Sequence, residues 1–431
     1  MSSSHRRIRL RRMSGVTAPL WVALPIGIAF GMVAGLWGIG NPEMIIRTAR
    51  LVDRLLLGCF LFVTAVGAVL LYGLYAVGVP MHLAPKPLYV VGVMTGGVLF
   101  GTGAAISGYF PGTALIALGE GRRDALAAIP GGLLGAAAWT AVYGTPVGHW
   151  LTTTANHGGL VAGEPLGAQT PGRLLLIAVG YAALAFVLLN YLPRFRGGER
   201  CCLRTLRGAS PTEFDRLMTR DTIGYLYEGA DDGHRRRWFK RVSGDRVAHP
   251  AFFSRTTAAV AAGVAVLVVL SIFLRQPFGQ STTYSWVVGE LFMPDFAYSR
   301  QVIAGIGWEP LSDLGVLVGA FISARFISGR FTRFRPVVPP SWRHRFGARR
   351  GNRAAAVFAG SFLTLFGARM AGGCTSGHTL SGGIQLSVSS WLFTVAMLAA
   401  MVVTARLVYR DAPWSVTVAG HHDPAARTSG S

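Results

Sequence analysis

Three side chains that can bind an anion lie close together towards the C-terminal end of the sequence. Arg369 precedes Cys374 by five residues, and His378 follows it by four. The planar donors of a guanidinium suit a tetrahedral oxyanion, and an imidazole can donate a further hydrogen bond. Structural roles are the alternatives. Arg369 could pair with a carboxylate or cap a helix end, and His378 could be a hydrogen-bonded histidine of the core.

The composition around these residues is that of a membrane protein. Of the 431 residues, 51% are hydrophobic and only 14% are charged. Soluble domains carry about 25% charged residues, and disordered chains are poor in hydrophobic residues, so both classes are excluded. Four cysteines are too few for a disulfide scaffold at this length. The composition therefore indicates a multi-spanning membrane protein.

Apolar stretches of about 20 residues can cross the roughly 30 Å hydrocarbon core of a bilayer. The fold class that we predict is an all-α polytopic membrane protein with about nine transmembrane helices. They lie at 17–40, 56–78, 88–106, 124–147, 172–193, 256–274, 301–327, 354–370 and 389–410.

The basic residues, nearly all of them arginine, predict the orientation. Fourteen Lys and Arg lie in 194–255 and eight in 328–353, whereas 148–171 has none. Because cytoplasmic loops are enriched in basic residues, we expect the two basic segments inside and 79–87 and 148–171 outside. The basic N-terminal tail would then lie outside, against the same rule, so a re-entrant first segment is an alternative. The basic residues lie mostly between apolar runs, and we predict no nucleic-acid partner.

Two pairs of matching segments indicate an internal repeat. Leu99 to Phe110 matches the segment that ends at Cys374, with Gly108 opposite Gly372. The run GIG at 38–40 matches GIG at 305–307 at nearly the same offset. One odd span between the copies would invert the second copy. Inverted repeats are a common architecture of secondary transporters.

The predicted organisation has six parts. They are a basic N-terminal tail (1–16), a first transmembrane repeat (17–147), an external loop and linking span (148–193), a basic cytoplasmic insert (194–255), a second transmembrane repeat (256–410) and a C-terminal tail (411–431).

Each repeat contains a glycine-rich interruption, at 107–113 and at 371–378, between an apolar helix and a shorter one. Non-helical backbone at membrane depth is tolerated where protein or a water-filled cavity surrounds it. We therefore predict two re-entrant hairpins that form a substrate pathway, with ordinary turns or tight helix packing as the alternative. The candidate pathway residues are Tyr109, Phe110, Pro111, Thr113, Arg369, Gly373, Cys374, Ser376 and His378.

Several motifs resemble the YeeE/YedE family of sulfur-transport membrane proteins. They are GYFPGT (108–113) followed by ALGEGRRDA (117–125), GGCTSGH (372–378) followed by SGG (381–383), and GIGNPEMI (38–45). The resemblance implies a pseudo-symmetric, hourglass-shaped channel or transporter for thiosulfate or a related sulfur anion in a bacterial inner membrane. It also implies that pathway thiols relay the anion, and that a small cytoplasmic sulfurtransferase is a partner.

The sequence departs from the family motif at Phe110, where the family usually carries cysteine. A phenylalanine removes a weak donor and adds bulk, so transport of another sulfur compound, a modified relay or a regulatory role are alternatives. Cys59 is interpreted as a small packing residue. The pair Cys201 and Cys202 could handle sulfane sulfur in the basic insert, whereas a zinc site is disfavoured because no second ligand pair accompanies it.

Four polar residues near the spans, three of them acidic, have two interpretations. Asn41, Glu43, Glu309 and Asp313 could gate a pathway or carry protons, or they could cap helices and pair with Arg47 or Arg325. We predict a transporter or channel for a sulfur-containing anion, with no catalytic residues, cofactor or metal. The alternatives are a non-conducting membrane sensor or docking protein, and a membrane redox enzyme. The enzyme is disfavoured because the sequence has no P-loop, H-E-x-x-H motif or spaced histidine pairs for haem.

Overall fold

The computed structural model describes residues 17–52, 54–164, 170–191, 255–328, 331 and 338–410. The two predicted tails, 1–16 and 411–431, lie outside these ranges. The basic insert, apart from Arg255, and the pair Cys201 and Cys202 lie outside them as well. Within the described residues the secondary structure is helical, and two isolated β-bridges are its only extended pairing. The predicted all-α fold class is confirmed.

Fourteen α-helices follow one another along the described residues. They are α1 (Ala23–Trp37), α2 (Pro42–Ala49), α3 (Leu55–Ala76), α4 (Val90–Ser107), α5 (Pro111–Gly119), α6 (Ala128–Tyr143), α7 (Pro146–Thr153), α8 (Pro171–Tyr191), α9 (Arg255–Leu274), α10 (Thr282–Leu291), α11 (Trp308–Ile322), α12 (Pro340–Phe346), α13 (Arg350–Met370) and α14 (Val388–Val408). Short π-helical segments cover Ser299–Ile303, Ser323–Ser328 and Ser376–Gly382.

Eight helical segments of the described chain are long and apolar enough to cross a membrane. They are Leu20–Trp37, Leu55–Ala76, Val90–Gly119, Arg123–Tyr143, Pro171–Tyr191, Thr257–Leu274, Trp308–Ser328 and Val388–Val408. Each of them overlaps one of the nine predicted spans, so the polytopic membrane character is confirmed.

Two predicted spans need correction. The span predicted at 354–370 is the helix α13, but it is not among the eight apolar segments, because Arg353 and Arg369 lower its hydropathy. Both arginines are buried against protein. The span predicted at 301–327 begins later, at Trp308, because the chain breaks at Gly305, whose φ is +83°.

The helices α4 and α13 cross in antiparallel directions with their backbones in direct contact. A Cβ atom added at Gly96 would lie 2.6 Å from the carbonyl oxygen of Gly367, and one at Gly360 would lie 2.7 Å from that of Gly103. Small residues allow such close approach between membrane helices. The helix α13 also packs on α6, and α4 on α14, so these four helices form one packed group.

The two loops predicted to lie outside meet each other in the fold. The amide of Leu88 donates to the carbonyl of Gly158 at 2.7 Å, and the amide of His157 donates back to Leu88 at 2.8 Å. The same face carries the end of the second interruption, because the amide of Val388 donates to Leu160 at 3.0 Å. A helix of 18 residues is about 27 Å long, so the C-terminal end of α4 at Ser107 lies far from this face.

Candidate functional site

Both predicted interruptions are breaks in the helical backbone. The helix α4 ends at Ser107, Gly108 has a φ of +71°, and α5 begins at Pro111. The helix α13 ends at Met370, Gly372 has a φ of +78°, and a π-helical turn begins at Ser376. Glycine is the residue that adopts this left-handed conformation without strain, which explains why both breaks contain it.

A cavity of about 50 Å³, with room for a few water molecules, lies between the two interruptions. The first interruption contributes Phe110, Gly112 and Thr113, and the second contributes Thr375 and Ser376. The helices α1, α3 and α9 complete the wall with mostly apolar side chains. Three candidate pathway residues, Phe110, Thr113 and Ser376, therefore meet at one cavity although the two segments belong to opposite halves of the chain.

Phe110 lines the cavity and belongs to a group of three aromatic rings. Its ring stacks on Phe100 with centroids 5.6 Å apart, and Phe60 lies 6.5 Å away. The Thr113 hydroxyl accepts a hydrogen bond from the Phe110 amide at 2.8 Å, which caps α5. The carbonyl of Pro111 accepts from Tyr284 at 3.3 Å. The Tyr109 hydroxyl donates to Asp124 at 2.8 Å, and Tyr109 is not among the residues that line this cavity.

The thiol of Cys374 is buried next to the cavity wall. Its sulfur lies 3.1 Å from the hydroxyl oxygen of Ser376, which itself lines the cavity. Cys374 is itself 1% exposed and is not among the residues that line the cavity.

Arg369 is buried without a carboxylate partner among the described residues. Its guanidinium donates to the hydroxyls of Ser281 at 2.6 Å and Thr282 at 3.1 Å, and its Nε atom has no hydrogen-bond partner in the described part of the chain. The geometry therefore does not support the predicted pairing of Arg369 with a carboxylate. A buried guanidinium held only by hydroxyls keeps its positive charge available to an anion.

The profile of the family described as sulphur transport matches residues 39–403, which include both interruptions. The chain belongs to this sulphur transport family. The thiosulfate transporter TsuA of Spirochaeta thermophila is 24% identical to it over 395 residues, which are 91% of this chain and 99% of that protein. The family resemblance seen in the motifs is confirmed. As a member of this family, the protein is a multi-pass membrane transporter of sulfur compounds.

Three residues at the site were not singled out as pathway residues from the sequence. Cys59, interpreted there as a packing residue, lines the cavity from α3, and Gln280 lines it from the segment before α10. Lys86 reaches the second interruption from the 79–87 loop, with its Cε atom 3.4 Å from where a Cβ of Gly373 would lie. The only signal for Lys86 was that the chain contains just two lysines.

His378 has the geometry of a structural histidine. Its Nδ1 atom lies 3.2 Å from the Ser390 hydroxyl and its Nε2 atom 2.9 Å from the carbonyl oxygen of Ala371. Its ring stacks on Phe393 at 4.5 Å. Nδ1 therefore connects the second interruption to α14 and Nε2 connects two residues within the interruption, which agrees with the core alternative stated for this residue.

These polar residues divide into two groups. Asn41 caps α2 by accepting from the amide of Glu43 at 3.0 Å, and the Glu43 carboxylate accepts from the amide and hydroxyl of Ser341. Glu309 and Asp313 are buried on α11 and form no ion pair within the described chain, so the predicted pairing with Arg325 is not seen. These two acids lie near the second interruption.

Proposed function

We propose that this protein carries a sulfur-containing anion such as thiosulfate across a bacterial inner membrane, through the cavity between the two interruptions. The observation that carries the proposal is the cavity lining, which takes Phe110 and Thr113 from one interruption and Thr375 and Ser376 from the other. TsuA is named for thiosulfate transport, and its likeness to 91% of this chain supports the same class of substrate.

The chemistry around the cavity suits an anion that contains both oxygen and sulfur. The hydroxyls of Thr375 and Ser376 and the amide of Gln280 can donate to oxyanion oxygens. Arg369 and Lys86 supply positive charge beside the second interruption. An anion that lost its water without such donors would be too unstable to enter, so these groups provide the selectivity in our proposal.

We propose that the two halves are inverted repeats with the interruptions as re-entrant hairpins. The alignment that sets Gly108 opposite Gly372 also sets Gly96 opposite Gly360 and Gly103 opposite Gly367. In the structure Gly96 packs against Gly367 and Gly103 against Gly360. A twofold axis between equivalent helices produces this reciprocal pattern, and a parallel repeat does not.

A second pair of contacts follows the same rule. Tyr89 and Arg353 are opposite each other in the same alignment, and each reaches the interruption of the other half. Arg353 donates to the carbonyl of Ser107 at 2.6 Å, and the Tyr89 hydroxyl oxygen lies 2.6 Å from where a Cβ of Gly372 would be. These contacts support the inverted arrangement independently of the glycines.

We propose the predicted orientation as well, with the 148–171 loop outside and 328–353 inside. The support is that the two arginine-poor loops share one face of the protein, which also carries residue 388. A membrane-impermeant thiol reagent added outside should label a cysteine introduced at His157 and spare one introduced at His344. The reverse pattern would contradict the orientation.

The family resemblance also supports a proposed partner, a small sulfurtransferase that collects the anion on the cytoplasmic side. Pull-down of a purified sulfurtransferase by the full-length transporter in detergent tests this proposal. Failure to bind at micromolar concentration would remove it without affecting the transport proposal.

Uptake of labelled thiosulfate into vesicles that contain the purified protein tests the transport function. We expect saturable uptake that is absent from protein-free vesicles and is reduced by excess unlabelled thiosulfate. Arg300→Ala is a matched control for Arg369→Ala, because Arg300 is an exposed arginine that pairs with Asp295. Uptake that is not saturable, or that is equal in both variants, would contradict the proposal.

A non-conducting sensor is a second candidate, and the aromatic group around Phe110 favours it. Phe60 and Phe110 line the cavity, and Phe100 stacks on Phe110. A sensor would bind thiosulfate, measured by the ligand-dependent rise in its melting temperature, and yet give no uptake in vesicles.

A further inference from the structure

Two buried carboxylates lie beside the second interruption, and neither takes part in the hydrogen bonds described for the cavity. Glu309 and Asp313 are one turn apart on α11 and are 9% and 2% exposed. The Oδ2 atom of Asp313 accepts from the Thr283 hydroxyl at 2.5 Å. The Oδ1 atom of Asp313 and the Oε2 atom of Glu309 accept no hydrogen bond within the described residues.

The groups that face these carboxylates come from several elements. Lys86 of the 79–87 loop lies within interaction range of Glu309, Arg369 and Cys374. Asp313 has three further neighbours. They are Gln280 from the segment before α10, Tyr284 of α10, and Cys374 of the second interruption. The neighbouring helices α1 and α5 contribute no titratable side chain. The Nε atom of buried Arg369, with no partner among the described residues, is a third unsatisfied polar atom in the same region.

The charged side chains beside the second interruption are two cations and two carboxylates, and their formal charges balance only in the absence of substrate. Lys86 and Arg369 together carry two positive charges, and ionised Glu309 and Asp313 carry two negative ones. A dianion such as thiosulfate would bring two further negative charges into a region shielded from water, where uncompensated charge is strongly unfavourable. If each carboxylate accepts one proton, the two cations compensate the dianion.

We infer that Glu309 and Asp313 bind protons together with the anion, so that transport is coupled to proton movement in the same direction. Protons pass from external water to the two carboxylate oxygens when the anion enters, and they leave to the internal water when the anion is released. Because linkage is reciprocal, the bound anion raises proton affinity and the bound protons raise anion affinity. This inference rests on the proposed transport of a sulfur anion.

The test uses vesicles that contain the full-length protein and a trapped pH-sensitive dye, with the membrane potential clamped by potassium and valinomycin. Thiosulfate uptake should acidify the interior. An inward proton gradient of one pH unit should raise steady-state accumulation about 100-fold for two coupled protons and about tenfold for one, since a free energy of about 1.4 kcal/mol corresponds to a tenfold ratio.

The variants Asp313→Asn and Glu309→Gln should abolish the response to the gradient. The measured quantity is the ratio of uptake with the gradient to uptake without it, which should fall to about 1. A merely structural loss would lower both uptakes and leave that ratio unchanged. Asp295→Asn is the matched control, because Asp295 is an exposed acid that pairs with Arg300, and it should keep the ratio of the unaltered protein.

The outcomes separate the two proposals. Thiosulfate uptake by the unaltered protein without acidification or gradient response overturns the proton coupling and leaves the transport function standing. A gradient response that survives in both variants overturns the assignment to Glu309 and Asp313. No uptake by the unaltered protein under any gradient overturns the transport function and this inference with it.

Discussion

The two interruptions differ in how their buried charges are satisfied. Beside the first, Arg353 pairs with Asp124 at 3.1 Å, donates to the carbonyl of Ser107 and lies over the rings of Tyr109 and Trp342. Beside the second, Arg369 donates to hydroxyls and pairs with no carboxylate of the described residues, and two carboxylates nearby have oxygens without a hydrogen-bond partner there.

This difference separates structure from function. A buried ion pair with further hydrogen bonds holds one geometry, and removing either partner leaves an uncompensated charge. Polar groups that the protein leaves unsatisfied lower stability, and they can be satisfied by a ligand instead. We therefore interpret the first interruption as a structural contact that holds the two halves together, and the second as the place where the anion binds.

Arg353→Ala should have the largest effect, and on folding. Removing one partner of a buried, hydrogen-bonded pair costs roughly 3–5 kcal/mol. We expect a large fall in melting temperature and in the yield of monodisperse protein in detergent. Arg350→Ala is the control, because Arg350 begins the same helix and is exposed. Equal stability of the two variants would show that the first interruption does not hold the two halves together.

Arg369→Ala should lower thiosulfate uptake at least about tenfold, because a hydrogen bond to a charged group contributes about 1.5–3 kcal/mol and 1.4 kcal/mol is a factor of ten. The loss should appear in initial rates normalised to the amount of folded protein in the vesicles. If Arg369→Ala instead loses stability as Arg353→Ala does and keeps normal uptake per folded molecule, the two interruptions do not differ in the way that we propose.

Phe110→Cys should raise uptake about fivefold if the new thiol donates one hydrogen bond with a net value of ~1 kcal/mol to the anion. The change also removes a ring from the aromatic group and should lower stability by about 3 kcal/mol, as large-to-small core substitutions do. Phe273→Cys, at a partly exposed position on α9, controls for the addition of a thiol. Unchanged uptake would show that Phe110 does not limit the pathway.

Cys374→Ala should have the smallest effect, about a threefold loss of uptake, because a thiol is a weak donor and a weak hydrogen bond contributes less than about 1 kcal/mol. Cys374→Ser should retain more activity than Cys374→Ala, since it keeps a donor beside Ser376. Equal uptake by all three proteins would exclude the thiol from the pathway.

The spans and the two breaks could be read from local sequence. Runs such as 55–76 are apolar over the thickness of a bilayer. Gly108 followed by Pro111 predicts that one helix ends and another begins there. The boundary near 301 was wrong because Gly305 lies within an apolar run, and hydropathy does not register a single left-handed residue. The arginine-bearing helix at 350–370 was predicted as a span at 354–370 although its hydropathy is lower than that of the other spans.

The roles of individual side chains depended on neighbours that are distant in sequence. His378 and Arg369 had open interpretations until Ser390 and Ser281 were placed beside them. Cys59 looked like any small residue of a buried helix, and it lines the cavity only because α3 passes the first interruption. Lys86 and Asp313 lie in different halves of the chain, and each comes near Cys374 only in the fold.

The sequence by itself therefore determined the membrane class, the helices, the breaks at Gly108 and Gly372 and the sulphur transport family. These follow from hydropathy, backbone conformation and motif, which are properties of short segments. Only the tertiary structure decided that the breaks share one cavity, that Arg353 pairs with Asp124 while Arg369 has no carboxylate partner within the described residues, and that Glu309 and Asp313 lie beside the second break. Charge compensation and cavity walls arise from contacts between segments that are far apart along the chain, and their energies have no counterpart in any local pattern.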